Sequence, residues 1–432
     1  MTMAAGRDSI RSFGAAVARA AVLAIVLGGL SSACGPTAPQ VSAGSDGDAG
    51  PRFRADGPEA DSFGRSEGYP PCTGLAYVRE QRCRIGAFSH FDVLFPSRTI
   101  KAAGVPARLG RAPVEPGIRY TYGGQSLTID QYLEKHPVTG FLIAKGDAIL
   151  VERYQYDRTD TQRLTSFSMA KTIVGLLIGI AVKEGTIRSI DDPAEAYVPG
   201  LKGSEYGRTP IKALLQMSSG VAFQEIYTDM NSDIAKLAFA TLGQDPGGNL
   251  SAVRRFNTRY AAPGERFSYS SAESVVLGLV LAGATRRAVS DYASEKLWQP
   301  LGAEADAKWS IDATGQEITF AYFNAVLRDW GRLGLMLAHD GTWAGKSVVP
   351  REWLLESTTA TSNSPSRAYG YHVWLLSAPG RTFALRGLRG QFVLVDPAKK
   401  LVLVQTAARA VGDGFADQEL FALWSALPSQ LP

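Results

Sequence analysis

Ser168-Met169-Ala170-Lys171 opens a long apolar helical pattern that continues to Gly185. The pattern is apolar almost all round, which is typical of a buried helix that ends at a glycine. The segment just before it, Leu164-Thr165-Ser166-Phe167, is short and compatible with a strand. One helical turn separates the serine from the lysine, so this stretch places an amine beside a hydroxyl.

The Ser168 and Lys171 pair has two interpretations. A serine at the start of a buried helix lies beside unsatisfied backbone N–H groups and the positive end of the helix dipole, which favour an alkoxide and a developing oxyanion. With Lys171 as its base, Ser168 is then a nucleophile. The alternative is a helix cap followed by a solvated lysine, and the spacing alone does not separate the two.

Composition and charge exclude several classes of protein. The chain has 432 residues, 45% of them hydrophobic, which is enough for one large core or two lobes. The formal net charge of +4 is spread without a basic run. We therefore expect no nucleic-acid partner.

The N-terminus has the pattern of an export signal. Three arginines precede a short apolar run at residues 20–30, which is too short for a permanent membrane anchor. Leu30-Ser31-Ser32-Ala33-Cys34-Gly35 resembles a bacterial lipoprotein box, although its small residues also suit ordinary signal peptidase. We predict a signal peptide at residues 1–33 and a lipid anchor on Cys34, which would hold the protein at a membrane in the periplasm or on the outer surface.

The residues after the signal predict a tether followed by one large domain. Residues 34–70 are rich in Gly, Ser, Asp and Pro, which is typical of a flexible tether. Residues 71–432 are predicted to form the folded domain.

Cysteine and histidine content favours a disulfide over a metal site. In an oxidising compartment, Cys72 and Cys83 are expected to pair with each other, the alternative being two unrelated thiols. The four histidines are not spaced with one another or with cysteine as zinc ligands would be. We predict no metal and no organic cofactor.

The order of patterns predicts an α+β fold. A hairpin is predicted at residues 141–151, around Lys145-Gly146-Asp147. Helical patterns then dominate from residue 168 to about residue 339, at 212–217, 232–242, 272–283, 290–298 and 324–337. Strand patterns return at 368–376, 382–385, 392–395 and 401–406, followed by a helix at 417–427. We expect one antiparallel sheet built from both termini and flanked by helices, with an inserted, mainly helical lobe at about 186–345.

A second candidate for the site is Tyr269, in the loop Phe267-Ser268-Tyr269-Ser270-Ser271. A free tyrosine has a pKa of about 10 and is a poor base at neutral pH, but an adjacent ammonium favours its phenolate. Lys171 is a source of that charge. The alternative is a turn tyrosine that packs and donates one hydrogen bond.

A third candidate is the strand around Gly387 and Gly390-Gln391. Glycine inside a strand often marks the close approach of a ligand or another backbone. The Gln391 N–H is a candidate second oxyanion donor beside the N–H of Ser168. The alternative is a β-bulge.

These three pieces, in this order, resemble the serine hydrolases of the class C β-lactamase and penicillin-recognising superfamily. Leu214 to Gly220 and Leu327 to Gly334 look like further landmarks of that superfamily. Within it, the chain looks most like the branch that contains the nylon-oligomer (aminohexanoate-dimer) hydrolases and related esterases. The resemblance implies a β-lactamase/transpeptidase-like fold and an acyl-enzyme on Ser168. It also implies that Lys171 and Tyr269 share general acid and base catalysis, and that the N–H groups of Ser168 and Gln391 form the oxyanion hole.

Two departures from that pattern bear on the substrate. Ser271 stands where β-lactamases usually carry asparagine, and Leu388-Arg389-Gly390 lacks the lysine that binds the substrate carboxylate. Arg386 or Arg389 replaces that lysine only if the strand turns it inward. Hydrolysis of a small-molecule ester or amide is therefore favoured over two alternatives, a β-lactamase or D,D-peptidase and a non-catalytic, lipid-anchored binding protein. Ser271, Gly390, Tyr227 and Trp374 are the candidate substrate-binding residues.

Overall fold

The computed structural model describes residues 50–363, 368–377 and 380–431. The predicted signal peptide, Cys34 and the first part of the predicted tether, residues 34–49, lie outside the described residues. Within the described ranges, no helix has both the length and the apolar character needed to cross a membrane.

Strands and helices alternate along the chain. Strands are most frequent in its early and late parts. The strands are β1 (Arg52–Phe53), β2 (Ser97–Ile100), β3 (Gly110–Arg111), β4 (Arg119–Tyr122), β5 (Gln125–Thr128), β6 (Val138–Lys145), β7 (Ala148–Tyr154), β8 (Leu164–Thr165), β9 (Ala307–Ser310), β10 (Phe323–Ala325), β11 (Thr342–Trp343), β12 (Lys346–Ser347), β13 (Trp374–Leu375), β14 (Phe383–Gly387), β15 (Gln391–Asp396) and β16 (Leu401–Ala407). The helices are α1 (Ala76–Arg79), α2 (Arg84–Ser89), α3 (Phe91–Leu94), α4 (Ile129–Leu133), α5 (Met169–Lys183), α6 (Ile211–Leu215), α7 (Asp233–Leu242), α8 (Gly248–Arg254), α9 (Ser271–Thr285), α10 (Val289–Ala293), α11 (Leu327–Ala338), α12 (Arg351–Ser357) and α13 (Gly414–Ala426).

The main sheet is built from both ends of the chain, which confirms the predicted fold class. Its strand order is β1-β7-β6-β16-β15-β14-β13, and β3 also pairs with β7. The pairs from β7 to β13 are antiparallel, whereas β1 and β3 run parallel to β7. The central strands read as continuous apolar runs because both faces of the sheet are buried.

Side chains alternate between two hydrophobic clusters along each central strand. In β15, Val393 and Val395 join the cluster that contains α5 and α11, whereas Phe392 and Leu394 join the cluster that contains α4 and α13. This alternation follows from the two-residue period of a strand. The sheet is therefore the middle layer between two layers of helices.

The predicted tether is wrong for residues 50–70. Strand β1 pairs with β7, and the rings of Phe63 and Tyr69 are each only 2% exposed. The Tyr69 hydroxyl donates to the carbonyl of Ala55 at 2.7 Å, and its ring packs edge-on against Tyr156. The two aromatic side chains pack this segment against the folded domain. The polar average composition of the segment gave no indication of this packing.

The predicted helical lobe also needs correction at its end. Strands β9 and β10 are the two central strands of a four-stranded antiparallel sheet in the order β2-β9-β10-β8. Residues 323–325, predicted as helix in part, are therefore strand. These strands are only three or four residues long, too short for a two-residue period to show in the sequence.

Helix α11 belongs to the main sheet rather than to the lobe. It packs against β6, β15 and β16. Gly334 permits this approach, because a Cβ at that position would overlap the side chain of Val402. Residues 327–338, which the prediction included in the lobe, therefore pack on the main sheet.

The predicted strand at 368–376 is mostly an irregular turn. Only Trp374–Leu375 forms a strand, and His372 has a φ of 54°. A positive φ at a residue other than glycine interrupts the extended backbone. This turn positions Trp374 next to the site described below.

Candidate active site

Ser168 lies at the N-terminal end of α5, between β8 and the helix. Its neighbours Phe167 and Met169 are buried, whereas Ser168 itself is partly exposed. Phe167 has a φ of 43°, a strained value for a residue other than glycine, and such strain clusters at functional sites. The fold therefore holds one hydroxyl at the surface of an otherwise buried helix end.

Lys171 contacts Ser168 directly. Its Nζ donates to Ser168 Oγ at 2.9 Å, to Ser271 Oγ at 3.1 Å and to the carbonyl of Phe320 at 2.9 Å. Lys171 is only 1% exposed, so the interpretation of a solvated lysine is wrong. Burial lowers the pKa of Lys171 to about 8, against the opposing effect of the Glu225 charge. An amine with this pKa is partly unprotonated near neutral pH and can accept the proton of the serine.

Tyr269 lies close to both Ser168 and Lys171. Lys171 Nζ is 5.1 Å from the centre of the Tyr269 ring. Burial and the charge of Glu225 raise the pKa of Tyr269, whereas a hydrogen bond with Ser168 and the charge of Arg386 lower it by less. The net effect raises the pKa of Tyr269 and so disfavours the phenolate that the sequence predicted. A neutral phenol acts as a hydrogen-bond and proton donor.

Ser271 lies behind Lys171 and is 1% exposed. Its hydroxyl donates to Glu225 Oε1 at 2.6 Å, and its backbone N–H donates to Glu225 Oε2 at 2.9 Å. Ser271 was predicted to bind substrate, and it lines the apolar cavity beside Ser168. Its contacts also make it a positioning residue that links the Lys171 amine to a carboxylate.

Glu225 was missed by the sequence analysis. It belongs to a loop that also supplies Tyr227, whose hydroxyl donates to Glu225 Oε1 at 2.7 Å. Glu225 also lies at the N-terminal end of α9, where the helix dipole stabilises a negative charge. No local spacing marks this residue, because only the folded chain brings its loop to Ser271.

The third predicted piece reaches the site through a different glycine. A Cβ at Gly387 would overlap the carbonyl oxygen of Ser166, so β14 approaches the Ser168 segment at Gly387. A Cβ at Gly390 would instead meet the side chains of Arg409 and Ala407. Gly390 lines the cavity, but the close contact with the nucleophile segment belongs to Gly387.

Gln391 is consequently a poor oxyanion donor. It pairs with Gly387 in the ladder between β14 and β15, is only 1% exposed, and lines neither cavity beside Ser168. Leu388, which follows Gly387 directly, lines both cavities beside Ser168. In the part of the chain that the structure describes, the N–H groups of Leu388 and Ser168 have no hydrogen-bond acceptor. The geometry therefore favours the N–H groups of Ser168 and Leu388 as the oxyanion hole.

Two cavities meet at Ser168. An apolar cavity of about 130 Å³ lies on one side, and a more polar cavity of about 490 Å³ lies on the other. Tyr227 lines both of them, and Trp374 lines the polar one, where its ring lies 5.5 Å from that of Tyr269. Both residues line a cavity beside Ser168 and stay candidate substrate-binding residues.

The structure joins Cys72 and Cys83 in a disulfide. Across the described ranges, no three His, Cys, Asp or Glu side chains form a group that could hold a metal ion.

A serine hydroxyl in contact with a buried amine, at the end of a helix and opposite a glycine of the sheet, defines a serine hydrolase of the acyl-transfer type. The sequence profile of the beta-lactamase family matches residues 127–427, and the chain belongs to that family.

Known relatives agree with this placement. The chain is 27% identical over 343 residues to the 6-aminohexanoate-dimer hydrolase of Paenarthrobacter ureafaciens, a match that covers 74% of this chain and 84% of the relative. A Bacillus anthracis structure described as a candidate 6-aminohexanoate-dimer hydrolase superposes with a TM-score of 0.73 at 20% identity, covering 81% of this chain and 95% of the other. A family VIII carboxylesterase superposes with a TM-score of 0.52 at 17% identity, covering 68% and 93%. These structures confirm the β-lactamase/transpeptidase-like fold.

Proposed function

We propose that this serine hydrolase is exported and cleaves an ester or a small amide through an acyl-enzyme on Ser168. The observation that carries the proposal is the 2.9 Å contact between Lys171 Nζ and Ser168 Oγ. Because the pKa of Lys171 is lowered to about 8, a fraction of the enzyme near neutral pH has an amine free to take the serine proton.

Each step of this reaction can be assigned to particular groups of the site. Ser168 Oγ attacks the substrate carbonyl as its proton passes to Lys171, and the N–H groups of Ser168 and Leu388 stabilise the oxyanion. The leaving group departs with a proton delivered by the Tyr269 phenol or the Lys171 ammonium. Water then hydrolyses the acyl-enzyme by the reverse proton path, which restores Ser168.

The electrostatics of β14 favour ester or amide hydrolysis over β-lactam hydrolysis. With Gly387 as the glycine that approaches the nucleophile, the three-residue motif is Leu385-Arg386-Gly387. Leu385 is fully buried and apolar, so it offers no cation to a β-lactam carboxylate. Arg386 is already engaged by Asp417 at 3.0 Å.

Export is also part of the proposal: the signal peptide at residues 1–33 would direct it, and acylation of Cys34 would anchor the exported chain to a membrane. The Cys72–Cys83 disulfide supports it, because disulfides persist mainly in oxidising compartments. Membrane fractionation and labelling with radioactive palmitate test it. Wild-type protein is expected in the membrane fraction with label, and Cys34→Ser protein without label. An unlabelled wild-type chain would contradict the anchor.

A panel of p-nitrophenyl esters, short amides and nitrocefin tests the activity, with intact-mass detection of the acyl adduct. We expect turnover of esters, an adduct that maps to Ser168, and no turnover by Ser168→Ala. Nitrocefin turnover faster than ester turnover would make the protein a β-lactamase. Ligand binding without any adduct or turnover would favour the non-catalytic binding protein.

A further inference from the structure

Aromatic rings surround the apolar cavity beside Ser168. Separate segments of the chain supply six of them: Tyr77, Phe167, Tyr227, Phe239, Phe320 and Tyr322. The wall around Tyr77 precedes residues 127–427, the part of the chain that the family profile covers. An apolar cavity of about 150 Å³ is large enough to bind benzene. The volume of about 130 Å³ therefore suits one ring-sized apolar group.

The hydroxyl groups of the three tyrosines in this cavity have partners within the protein. Tyr77 and Tyr322 form a side-chain hydrogen bond with each other. The Tyr227 hydroxyl donates to Glu225 Oε1 at 2.7 Å. These tyrosines consequently present ring surface rather than hydroxyl groups to a ligand.

The rim of the cavity is apolar and open to solvent. Two charged residues also line the cavity, but Asp229 is exposed and Arg389 Nη1 donates to the carbonyl of Arg409. Four large apolar side chains on the rim are each 38% to 47% exposed: Ile226, Tyr227, Met230 and Phe239. Large apolar side chains grouped on an exposed surface mark a binding site. A ring seated in the cavity would cover this surface.

Tyr269 indicates which half of the substrate enters which cavity. It lines the polar cavity and is absent from the lining of the apolar one. As the phenol that gives a proton to the leaving group, Tyr269 requires that group in the cavity that it lines. The polar cavity is also the larger one, at about 490 Å³. The apolar cavity is then left for the acyl group.

We propose that the apolar cavity binds the acyl group, and that the enzyme cleaves esters or amides of single-ring aromatic acids such as phenylacetic acid. This inference rests on the proposed hydrolase function and specifies its substrate class. Ser168 Oγ bonds to the carbonyl carbon, and the alcohol or amine leaves into the polar cavity with the donated proton. Water then releases the aromatic acid. Edge-on and offset contacts between rings favour an aromatic acyl group over an aliphatic one of similar size.

Methyl phenylacetate and benzyl acetate test the orientation. These two esters are isomers that carry the same ring, on the acyl side in the first and on the leaving group in the second. Each kcat/KM is divided by the rate constant for hydrolysis by hydroxide, which removes differences in intrinsic reactivity. We expect the corrected value to be at least tenfold higher for methyl phenylacetate. Equal values, or a preference for benzyl acetate, would overturn the proposal.

Methyl cyclohexylacetate tests the preference for an aromatic ring. Its acyl group has a saturated ring in place of the phenyl group and the same leaving group. We expect a lower corrected kcat/KM than for methyl phenylacetate. An equal or higher value would overturn the assignment to aromatic acids.

A variant that fills the apolar cavity tests the place of the acyl group. Ala238, on α7, lines this cavity. Ala238→Phe should lower kcat/KM for p-nitrophenyl phenylacetate at least tenfold and that for p-nitrophenyl acetate less than threefold. Ala238→Val should cause a smaller selective loss with less strain on the fold. Ala398→Phe is the control and should change neither value, because Ala398 lies exposed in the turn between β15 and β16. Equal losses for both esters would contradict the proposal.

A binding measurement separates failure of this inference from failure of the hydrolase function. Ser168→Ala protein is heated with 2-phenylacetamide or with acetamide. A rise in Tm with 2-phenylacetamide alone, which Ala238→Phe abolishes, supports the aromatic acyl site even if no ester is hydrolysed. Active wild-type enzyme without such a rise, and without a preference between the two isomeric esters, contradicts the acyl site and leaves the hydrolase function intact.

Discussion

Glu225 accepts two hydrogen bonds from Ser271, one from the hydroxyl at 2.6 Å and one from the backbone N–H at 2.9 Å. The Ser271 hydroxyl in turn receives a hydrogen bond from Lys171 Nζ. The Glu225 charge therefore lies one residue away from the catalytic amine, and it raises the pKa of Lys171 against the larger lowering by burial. This carboxylate helps to set the pH at which Lys171 loses its proton.

Glu225→Gln is expected to move the rise of kcat/KM with pH to lower pH. Glutamine keeps an oxygen acceptor for Ser271 but removes the negative charge, so the ammonium form of Lys171 loses stabilisation. The fraction of unprotonated Lys171 at a given pH then increases. The measurement is a pH–rate profile with a neutral p-nitrophenyl ester. The profile covers pH 5 to 10, so that it spans the wild-type pKa of Lys171 of about 8.

Asp229→Asn is the matched control for this variant. Asp229 is an exposed acid on the same loop, and its carboxylate accepts the N–H of Asn231. Its removal should leave the profile in place. A profile that moves to higher pH in Glu225→Gln, or moves equally in both variants, would show that the loop rather than the charge controls Lys171.

Lys171→Met should be inactive yet more stable than the wild type at pH 7. The pKa of Lys171 is lowered from 10.5 to about 8 in the folded protein, so between those values the unfolded chain binds more protons. The contribution of this amine to stability therefore increases with pH over that window, and below pH 8 it destabilises the fold relative to methionine. We expect a gain of a few degrees in Tm at pH 7.

Calorimetry at several pH values checks this prediction. The difference in Tm, variant minus wild type, should decrease as pH rises from 8 to 10.5. Lys183→Met, at the exposed end of the same helix, is the control and should show no such trend. A constant difference across the window would mean that Lys171 has an ordinary pKa in the folded protein.

The sequence predicted the parts of the site that local spacing determines. Ser168 and Lys171 lie on one helix, so their contact follows from the helical repeat alone. The long apolar strands β6, β15 and β16 identified the main sheet for a similar reason. Each carries its signal within a single segment.

Other features of the fold and the site depend on how separate segments pair and pack, which the sequence of any one segment does not show. Gly387 and Gly390 belong to the same hairpin, and only the register between β14 and β15 decides which glycine faces the nucleophile. Glu225 reaches Ser271 from a loop 46 residues earlier in the chain. The docking of residues 50–70 depends on Phe63 and Tyr69, two side chains in a segment whose average composition is polar.

Gly387→Ala tests which glycine approaches the nucleophile. A Cβ at this position would overlap the carbonyl of Ser166, so β14 would have to move away from α5 and carry the Leu388 N–H with it. Loss of one oxyanion donor costs about 3 to 4 kcal/mol, which is a fall of roughly 100-fold to 1,000-fold in kcat. The measurement is the rate of acyl-enzyme formation with a p-nitrophenyl ester.

The control is Gly117→Ala, where a Cβ would meet no atom within 4 Å. Gln391→Leu completes the comparison. It removes the side-chain bonds to Ala407 and should lower Tm while leaving the rate of acylation within a few-fold of the wild type. Normal acylation by Gly387→Ala would show that the oxyanion donor lies elsewhere.

The Cys72–Cys83 disulfide should stabilise one wall of the apolar cavity. The two cysteines are 11 residues apart, and the segment that they enclose supplies Leu75, Tyr77 and Val78 to that wall. Closing a loop of this length contributes about 3 kcal/mol in the chain-entropy description.

The double variant Cys72→Ser/Cys83→Ser is expected to lower Tm by several degrees and to raise KM for p-nitrophenyl hexanoate more than for the acetate, because only the longer chain reaches the wall. Wild-type protein treated with reductant should behave in the same way, and saturating fluorophosphonate should still label Ser168. A lower Tm with an unchanged KM for both esters would show that the wall keeps its position without the bond.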